Sequence, residues 1–383
     1  MNKKPNYKIP HLPLSFELET KKVLKHATLA SRKLGELKGI VEKIPHPEIL
    51  IRTLSLQEAK DSSSIESIIT THDELYKAEI GANKHSSPAA KEVSTYADAL
   101  MEVFYKVKKN GIITESMIKE IYRNIKHNDA GYTTTPGKKL INEFTQETVY
   151  SPPQTIEEIE QHMRNLEEYI NDDSLSDVDP LIKMAVIHHQ FESIHPFGDG
   201  NGRAGRVLNI LYLVSKGLLD IPILYLSRYI NHNKGEYYKL LQSVRDNQLT
   251  GNEMDWERWI VFILRGIEAT AQETIEFVKG ISKMMLKIKH QIREKLPTIY
   301  SQELINNLFR HPYTKIEFVV NEVGVSRPTA SSYLKQLIQL GILSKLKLGR
   351  DNYYINDQLF EFILNAFHNA PTSHPDLINS DLE

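Results

Sequence analysis

The stretch with the densest polar chemistry is SIHPFGDGNGRAGR, which runs from Ser193 to Arg206. Gly200 and Gly202 allow a tight turn in which backbone amides point at a bound anion. A helix that begins near Asn201 adds the positive end of its dipole at the same place. The lysine of a Walker phosphate loop is missing, so the segment predicts an anion site of another kind.

The charged side chains of this segment suit a nucleotide. Arg203 and Arg206 lie one helical turn apart, so both guanidinium groups can bind phosphate oxygens. Asp199 supplies a hard oxygen ligand with which Mg²⁺ could bridge phosphates. His195 can take a proton from a hydroxyl near neutral pH. Each residue alone is typical of a turn or a solvated helix face, and only the joint pattern predicts an active site.

A transition-metal site is the competing chemical interpretation. His188, Glu192 and His195 fall on one helical face, but their order is not the HExxH of zinc proteases. Such a site would also leave the glycines and both arginines unexplained. We therefore expect His188 and His189 to be core residues that hydrogen-bond to their neighbours.

Composition sets the broad class. The chain has 383 residues, 40% of them hydrophobic and 25% charged, with a formal net charge of −2. These values predict a soluble protein of two or three domains and argue against bulk attachment to nucleic acid or membrane. The absence of cysteine excludes disulfides and thiolate metal sites. With no apolar leader and no long apolar run, we expect a cytoplasmic protein without membrane contact.

Helical periodicity dominates the sequence and predicts a mainly α fold. One apolar helix opens at Asp179 and Pro180, and a second follows the glycines and ends at Gly217. A further helical stretch covers residues 55–79. Another long helix runs from Asp255 to about Leu296.

Two other regions have a different pattern. Turn residues and β-formers between Gly131 and Pro153 predict a hairpin. After about residue 295, the pattern of helix, glycine turn, helix and two short strands resembles a winged helix-turn-helix, with Ser326 as an N-cap and Leu343 to Ile355 as the wing. The basic residues there that could meet DNA phosphates are Arg327, Lys335, Lys345, Lys347 and Arg350. Acidic neighbours dilute this patch, so DNA and a protein both stay open as partners.

Residues 195–206, HPFGDGNGRAGR, resemble the Fic motif HxFx(D/E)GNGRxxR at every specified position. The resemblance covers most of the chain and implies a Fic-type helical bundle with a small β-hairpin flap, plus a C-terminal winged helix-turn-helix domain. The implied boundaries are an N-terminal helical region with an inhibitory helix at 1–100, a catalytic core at 101–280, a linker helix at 281–297, the winged helix-turn-helix at 298–370 and a tail at 371–383.

The same resemblance implies transfer of AMP from ATP to a Tyr, Thr or Ser hydroxyl of a target protein or of the chain itself. His195 would be the general base, Phe197 would anchor the loop and Asp199 would hold Mg²⁺. Arg203 would bind the β-phosphate and Arg206 the γ-phosphate, with Asn201 and the nearby amides at the α-phosphate. The nucleotide-binding residues carried over from the motif are Gly200, Asn201, Gly202, Arg203, Ala204, Gly205 and Arg206.

Two further stretches resemble parts of the family's site. Tyr237 and Tyr238 match a tyrosine pair that lines the adenine site, although helix packing is an equal alternative. The hairpin from Ile141 to Glu147 would be the flap that aligns the target as an added strand. It lacks the Arg and Asn of common flaps, so target preference stays open.

Ser62 and Glu66, within DSSSIESIIT, resemble the family's inhibitory motif (S/T)xxxE(G/N). Glu66 would pair with Arg206 at the γ-phosphate position and leave ATP misplaced for attack. Ser67 stands where the family usually has Gly or Asn, which puts the strength of inhibition in question. There are two alternative functions. The chain could remove AMP from a modified protein through the same Glu66, or it could be a DNA-binding regulator with a Fic sensor domain. A homodimer is also left open.

Overall fold

The computed structural model describes residues 7–42, 44, 47–72, 74–75, 87–126, 128–129, 131–133, 137–141, 148–246, 253–310, 312–348 and 351–366. Its α-helices are α1 (Lys21–Val41), α2 (Glu48–Ile65), α3 (Pro88–Asn110), α4 (Glu115–Lys126), α5 (Ile156–Asn171), α6 (Pro180–Ile194), α7 (Asn201–Ser215), α8 (Ser227–His232), α9 (Lys234–Asp246), α10 (Glu253–Lys295), α11 (Gln302–Arg310), α12 (Ile316–Val323), α13 (Arg327–Gln339) and α14 (Asp357–Ala366). The strands are β1 (Leu140–Ile141), β2 (Thr148–Tyr150), β3 (Tyr313–Thr314), β4 (Ser344–Leu348) and β5 (Asp351–Ile355).

Helix α6 lies at the centre of the bundle and is buried on every side from Leu181 to Ile194. The Asp179 side chain accepts a hydrogen bond of 2.8 Å from the amide of Leu181, which starts the helix as predicted. Trp259 of α10 donates from its indole nitrogen to the carbonyl of Ala185 at 2.8 Å. The site that follows α6 therefore stands on a fixed, fully buried support.

Helix α7 packs against α6, α3 and α4 and carries the second half of the glycine-rich segment. Its last residue is Ser215, and Gly217 adopts a left-handed backbone with φ of 66°. The predicted glycine stop is therefore confirmed, as is the long helix predicted from Asp255 to about Leu296, which is α10.

Helix α2 differs from the helical stretch expected at residues 55–79. It begins earlier, at Glu48, and its last residue is Ile65. Ser67 has a left-handed backbone with φ of 65°, and this turns the chain out of the helix just after Glu66. Periodicity missed the turn because a serine in this conformation leaves no signal in the sequence.

The predicted hairpin between Gly131 and Pro153 is present as the antiparallel pair of β1 and β2. The flap residues expected to align a target, Ile141 to Glu147, lie outside the described residues except for Ile141. In the C-terminal region, α12, a turn at Gly324, α13 and the β4–β5 hairpin follow in the predicted order. Strand β3 adds a third strand beside β5 that the sequence did not indicate.

No described helix combines the length and the apolar character that crossing a membrane requires.

Candidate active site

The loop between α6 and α7 is shaped by three local features. His195 closes α6 in a left-handed conformation with φ of 49°, a strained backbone of the kind that clusters at functional sites. Phe197 is fully buried and stacks on Tyr122 with ring centroids 4.0 Å apart, so the predicted anchoring of the loop is confirmed. The Asn201 amide accepts from the Phe197 amide at 2.9 Å and donates to its carbonyl at 2.8 Å. These contacts fix the conformation of the loop.

Both the oxygen and the nitrogen of the Asn201 side-chain amide are therefore hydrogen-bonded to the Phe197 backbone. The α-phosphate contact expected for Asn201 stays a prediction, and its backbone at the start of α7 is the part left to make it. Gly200 precedes it with φ of 75°, a conformation that favours glycine.

The imidazole of His195 is held neutral. Desolvation lowers its pKa to about 3, together with the positive charges of Lys138 and Arg245, while the carbonyl of Glu192 acts in the opposite direction. Lys138 donates to the carbonyls of His195, at 3.4 Å, and Phe197. An unprotonated imidazole can accept a proton at physiological pH, which is the state a general base requires.

Asp199 is exposed and ionised. Desolvation raises its pKa, but the hydrogen bond and charge of Lys126 and the amide of Gly200 outweigh it, so the net shift is downward. The carboxylate accepts from the Lys126 ammonium at 2.7 Å and from the Gly200 amide at 2.6 Å. A single exposed carboxylate beside the predicted phosphate site fits Mg²⁺, which takes one or two carboxylates and completes its shell with waters and phosphate oxygens.

Both arginines of the segment are buried and bound to one glutamate. Glu66 Oε2 lies 2.7 Å from Nε of Arg203, and Glu66 Oε1 lies 3.1 Å from an amino nitrogen (NH2) of Arg206. Glu66 Oε1 also accepts from the backbone amide of Arg203 at 3.1 Å. The carboxylate therefore occupies the amide-and-arginine site that the sequence predicts for an anion.

Ser62 completes the enclosure of Arg206 from the same helix. The Ser62 hydroxyl accepts from Nε of Arg206 at 2.8 Å, and the Ser62 carbonyl accepts from NH2 at 2.9 Å. Desolvation lowers the pKa of Arg206, but the charge of Glu66 and the neighbouring Tyr96 raise it above its ordinary value. The Arg206 guanidinium is therefore charged. Ser62 of α2 and Glu66, which directly follows α2, hold it in place.

Gly202 is required by close approach at this contact. A Cβ built on Gly202 would stand 2.8 Å from a guanidinium nitrogen of Arg206 and 2.9 Å from Oε1 of Glu66. Any larger residue would displace the glutamate or the arginine. The second glycine of the pair thus makes room for whichever anion occupies the site.

Ala204 and Gly205 have a packing role in this structure. Ala204 is buried, and a Cβ on Gly205 would lie 3.0 Å from the ring of Phe191 on α6. The two small residues allow α7 to lie close to α6. Their contact with nucleotide, expected from the resemblance, stays a prediction.

The two tyrosines of α9 are in different surroundings. Tyr237 is buried, and its hydroxyl lies 3.0 Å from Nε2 of His188. His189, equally buried, lies 3.2 Å from the carbonyl of Leu241, so the predicted core role of both histidines is confirmed. Tyr238 is 47% exposed. Helix packing is therefore the better interpretation for Tyr237, while the contact of the exposed Tyr238 with adenine stays a prediction.

The base of the β1–β2 hairpin is fastened to the loop through backbone carbonyls. Besides Lys138, the Tyr150 hydroxyl donates to the carbonyl of Ser193 at 2.7 Å, and the Thr133 amide donates to that of Pro196 at 2.8 Å. Movement of the hairpin would therefore displace His195. Sequence reasoning placed the hairpin near the site but missed these links.

Other residues missed from the sequence come from remote helices. Glu92 of α3 accepts from Arg203 at 2.6 Å, and Lys126 ends α4 beside Asp199. Glu58 of α2 is buried and accepts hydrogen bonds from Tyr96, at 3.1 Å, and Ser227. Desolvation raises the pKa of Glu58 to about 7, against lowering contributions from Ser227 and Arg206. No local pattern marks any of these positions.

Three family models match successive parts of the chain. Residues 24–105 match the N-terminal domain of the Fic/DOC family, residues 112–213 match the Fic/DOC family itself, and residues 284–359 match the C-terminal domain of SoFic-like protein adenylyltransferases. Together they include α2, the loop and α13.

Among curated relatives, a probable protein adenylyltransferase of Aquifex aeolicus is 28% identical over 185 residues, which cover 46% of this chain and 53% of that protein. The protein adenylyltransferase fic-1 of Caenorhabditis elegans is 26% identical over 136 residues, covering 35% of this chain and 24% of the relative. The chain thus spans at most about half the length of these relatives.

Solved structures show the same fold. A Fic family protein of Desulfovibrio desulfuricans G20 superposes with a TM-score of 0.55 at 17% identity, over 90% of this chain and 97% of that one. A Fic domain containing signaling protein of Bacteroides thetaiotaomicron gives a TM-score of 0.53 at 20% identity, over 67% and 97%. The chain therefore belongs to the Fic/DOC family, with the family's N-terminal and core domains followed by a C-terminal domain of the SoFic-like kind.

Proposed function

We propose that this chain transfers AMP from ATP to a hydroxyl side chain of a target protein or of itself, and that Glu66 inhibits the transfer. The observation that carries the proposal is the Glu66 carboxylate on the two arginines and the Arg203 amide at the start of α7. A site that binds one anion through a helix N-terminus and two guanidinium groups suits phosphates. The relatives named adenylyltransferases support the same reaction.

In the proposed step, the hydroxyl oxygen of the target attacks the α-phosphorus. The bond from that phosphorus to the bridging oxygen of the β-phosphate breaks, pyrophosphate leaves, and the hydroxyl proton passes to His195. The low pKa keeps the imidazole unprotonated in the free enzyme. Bound phosphates bring negative charge close to His195, which raises its pKa towards the range of an effective base.

Positioning and charge do the remaining work, as in other phosphoryl-type transfers. Arg203 and Arg206 take the β- and γ-phosphates, and the backbone amides near Gly202, at the start of α7, receive the developing charge on the α-phosphate. Asp199 would hold Mg²⁺, which when bound supplies positive charge to the phosphates. Lys138 and the Asn201 amide keep His195 and Phe197 in place during the step.

Inhibition follows from exclusion. The Nε of Arg206 donates to Ser62 and its NH2 donates to both Ser62 and Glu66, so three of its five N–H donors are already engaged when a γ-phosphate approaches. A carboxylate and a phosphate cannot share this space, since they carry the same charge. The active state therefore requires that Glu66 leaves while Arg206 stays.

Two labels on ATP test the reaction. Glu66→Gly protein is incubated with a cell lysate and with ATP labelled at either the α- or the γ-phosphate. We expect α-label on protein and γ-label in released pyrophosphate. Protein γ-label beyond that of lysate without the variant would identify a kinase instead, and absence of added α-label on protein would reject the proposal.

A second candidate function rests on the C-terminal domain. Lys335 of α13 and Lys345 and Lys347 of β4 are all exposed, as a DNA-docking helix and wing require. Arg327 is within 3.8 Å of Glu317, which weakens the patch. Arg350 lies outside the described residues. Duplex binding that falls steeply with salt, and that disappears in Lys345→Ser/Lys347→Ser, would support DNA binding; salt-insensitive or absent binding would exclude it.

A further inference from the structure

The C-terminal end of α4 brings a third cation to the phosphate site. Lys126, the last residue of α4, has its Nζ 2.7 Å from Oδ2 of Asp199 and 3.5 Å from Oε1 of Glu92. The Lys126 side chain is only 24% exposed. Its Cδ lies 3.4 Å from the place where a Cβ would stand on Gly200. The side chain therefore lies against the turn at Gly200, directly before the helix start whose Arg203 amide holds the Glu66 carboxylate.

Glu92, near the start of α3, joins this lysine to the first arginine of the loop. Its Oε1 accepts from NH1 of Arg203 at 2.6 Å, and the same oxygen faces Lys126. Arg203 NH2 lies 3.6 Å from the Cβ position on Gly200, which is the position that Lys126 also borders. One carboxylate oxygen thus holds two cations side by side at the edge of the turn.

The charges of this network balance when Glu66 is in place. Three cations, Arg203, Arg206 and Lys126, face the three carboxylates of Glu66, Glu92 and Asp199. Withdrawal of Glu66 leaves one net positive charge for an incoming polyphosphate. Without Lys126 the same withdrawal would leave none, so the electrostatic attraction for a triphosphate depends on this lysine.

We propose that Lys126 is a third cationic residue of the phosphate site, where its ammonium binds the β- and γ-phosphates of a nucleoside triphosphate, and that Glu92 positions it beside Arg203. An ammonium has three donors, so the bond to Asp199 leaves others for phosphate oxygens. The inference rests on the proposed function, because it assumes that the site binds a nucleotide. It adds to that function two residues from outside the 195–206 segment.

Calorimetric binding tests this role without turnover. The full chain carrying Glu66→Gly is titrated with AMP and with α,β-methylene-ATP, which cannot donate AMP, and each titration is repeated after adding Lys126→Met. We expect Lys126→Met to weaken binding of the triphosphate analogue roughly tenfold, the loss of one charge-assisted contact, and to leave AMP binding within about twofold. Lys126→Arg keeps the charge and should restore most of the analogue affinity.

The matched control is Lys119→Met, two turns earlier on α4, where Lys119 pairs with Glu115 at 2.6 Å; it should leave both affinities unchanged. Glu92→Gln adds one net positive charge, so charge alone would tighten analogue binding. We expect weaker analogue binding with AMP spared, because Lys126 and Arg203 lose the carboxylate that positions them, and tighter binding would overturn the positioning role of Glu92. Unchanged or tighter analogue binding by Lys126→Met would overturn the role of the lysine, as would equal losses for AMP and analogue. If Glu66→Gly alone binds neither ligand, the proposed function itself fails.

Discussion

The Glu66 carboxylate bridges the two arginines of the 195–206 segment, with Oε2 at 2.7 Å from Nε of Arg203 and Oε1 at 3.1 Å from NH2 of Arg206. The arginines are 1% and 3% exposed, whereas Glu66 is 22% exposed. The glutamate is therefore the member of the trio that solvent reaches and that can leave at the smaller cost. This arrangement suits a carboxylate that yields its place to a ligand.

Removing Glu66 should lower the free energy of unfolding and increase the rise in melting temperature that ATP produces. Glu66→Gly leaves Arg203 with Glu92 and Arg206 with Ser62, so we expect the free energy of unfolding to fall by about 2 kcal/mol, less than for an unpaired buried charge. ATP with Mg²⁺ should then raise the melting temperature of Glu66→Gly more than that of the wild type. A larger shift in the wild type would contradict the exclusion of phosphate by Glu66.

Ser67→Gly should tighten the inhibitory contact. Ser67 holds a left-handed backbone, which costs an L-residue on the order of 1 kcal/mol and costs glycine little. We expect Ser67→Gly to raise the free energy of unfolding by about 1 kcal/mol and to lower the basal rate of AMP transfer. Ser67→Ala, which keeps the Cβ, should do neither. An increase in the basal rate on Ser67→Gly would argue that the turn does not position Glu66.

The kcat/KM for AMP transfer should not fall near pH 6.5, where an ordinary histidine base becomes protonated. The pKa of His195 is lowered to about 3 in the free enzyme, so the base stays unprotonated far below its ordinary pKa near 6.5. Because kcat/KM reports the free enzyme, we expect kcat/KM of Glu66→Gly to stay level from pH 8 down to about pH 5.5. A fall of kcat/KM to half its plateau value near pH 6.5 would contradict a buried neutral base.

Glu58 should make the stability of the α2 region depend on pH. Its pKa is raised from 4.5 to about 7, so the folded state keeps a proton that the unfolded state releases between these values. The stabilisation is therefore present below pH 4.5 and is lost as pH rises through about 7. Relative to Glu58→Gln, the wild type should lose about 2 kcal/mol of unfolding free energy between pH 5 and pH 8. The unfolding free energies are measured by urea unfolding of both proteins at both pH values. An equal change with pH in the wild type and in Glu58→Gln would contradict a raised pKa of Glu58.

The parts of the structure that the sequence predicts are those set by local signals. Asp179 and Pro180 start α6, Gly217 ends α7, and the 195–206 segment is contiguous, so the loop residues could be named in advance. The side-chain direction is a tertiary property. Helical periodicity therefore could not predict that Gly205 faces Phe191, or that the hydroxyl of Tyr237 hydrogen-bonds to His188.

Contacts between distant helices were predictable only where a second motif marked them. The pairing of Glu66 with Arg206 was expected from such a motif, but its additional bonds to Arg203 were not. Glu92 and Lys126 reach the site from α3 and α4 with no motif of their own. Their positions follow from how α3 and α4 pack on α7, which a single sequence does not specify.

If Glu66 and ATP compete for an otherwise complete active site, the competition will appear in the initial rates of α-label transfer. The wild type, Glu66→Gly, and Glu66→Gly with His195→Ala are compared at equal concentrations of ATP and Mg²⁺. We expect Glu66→Gly to label protein at least about tenfold faster than the wild type, and the double variant to show no labelling. Equal rates for the wild type and Glu66→Gly would contradict inhibition by Glu66, and label retained in the double variant would contradict His195 as the base.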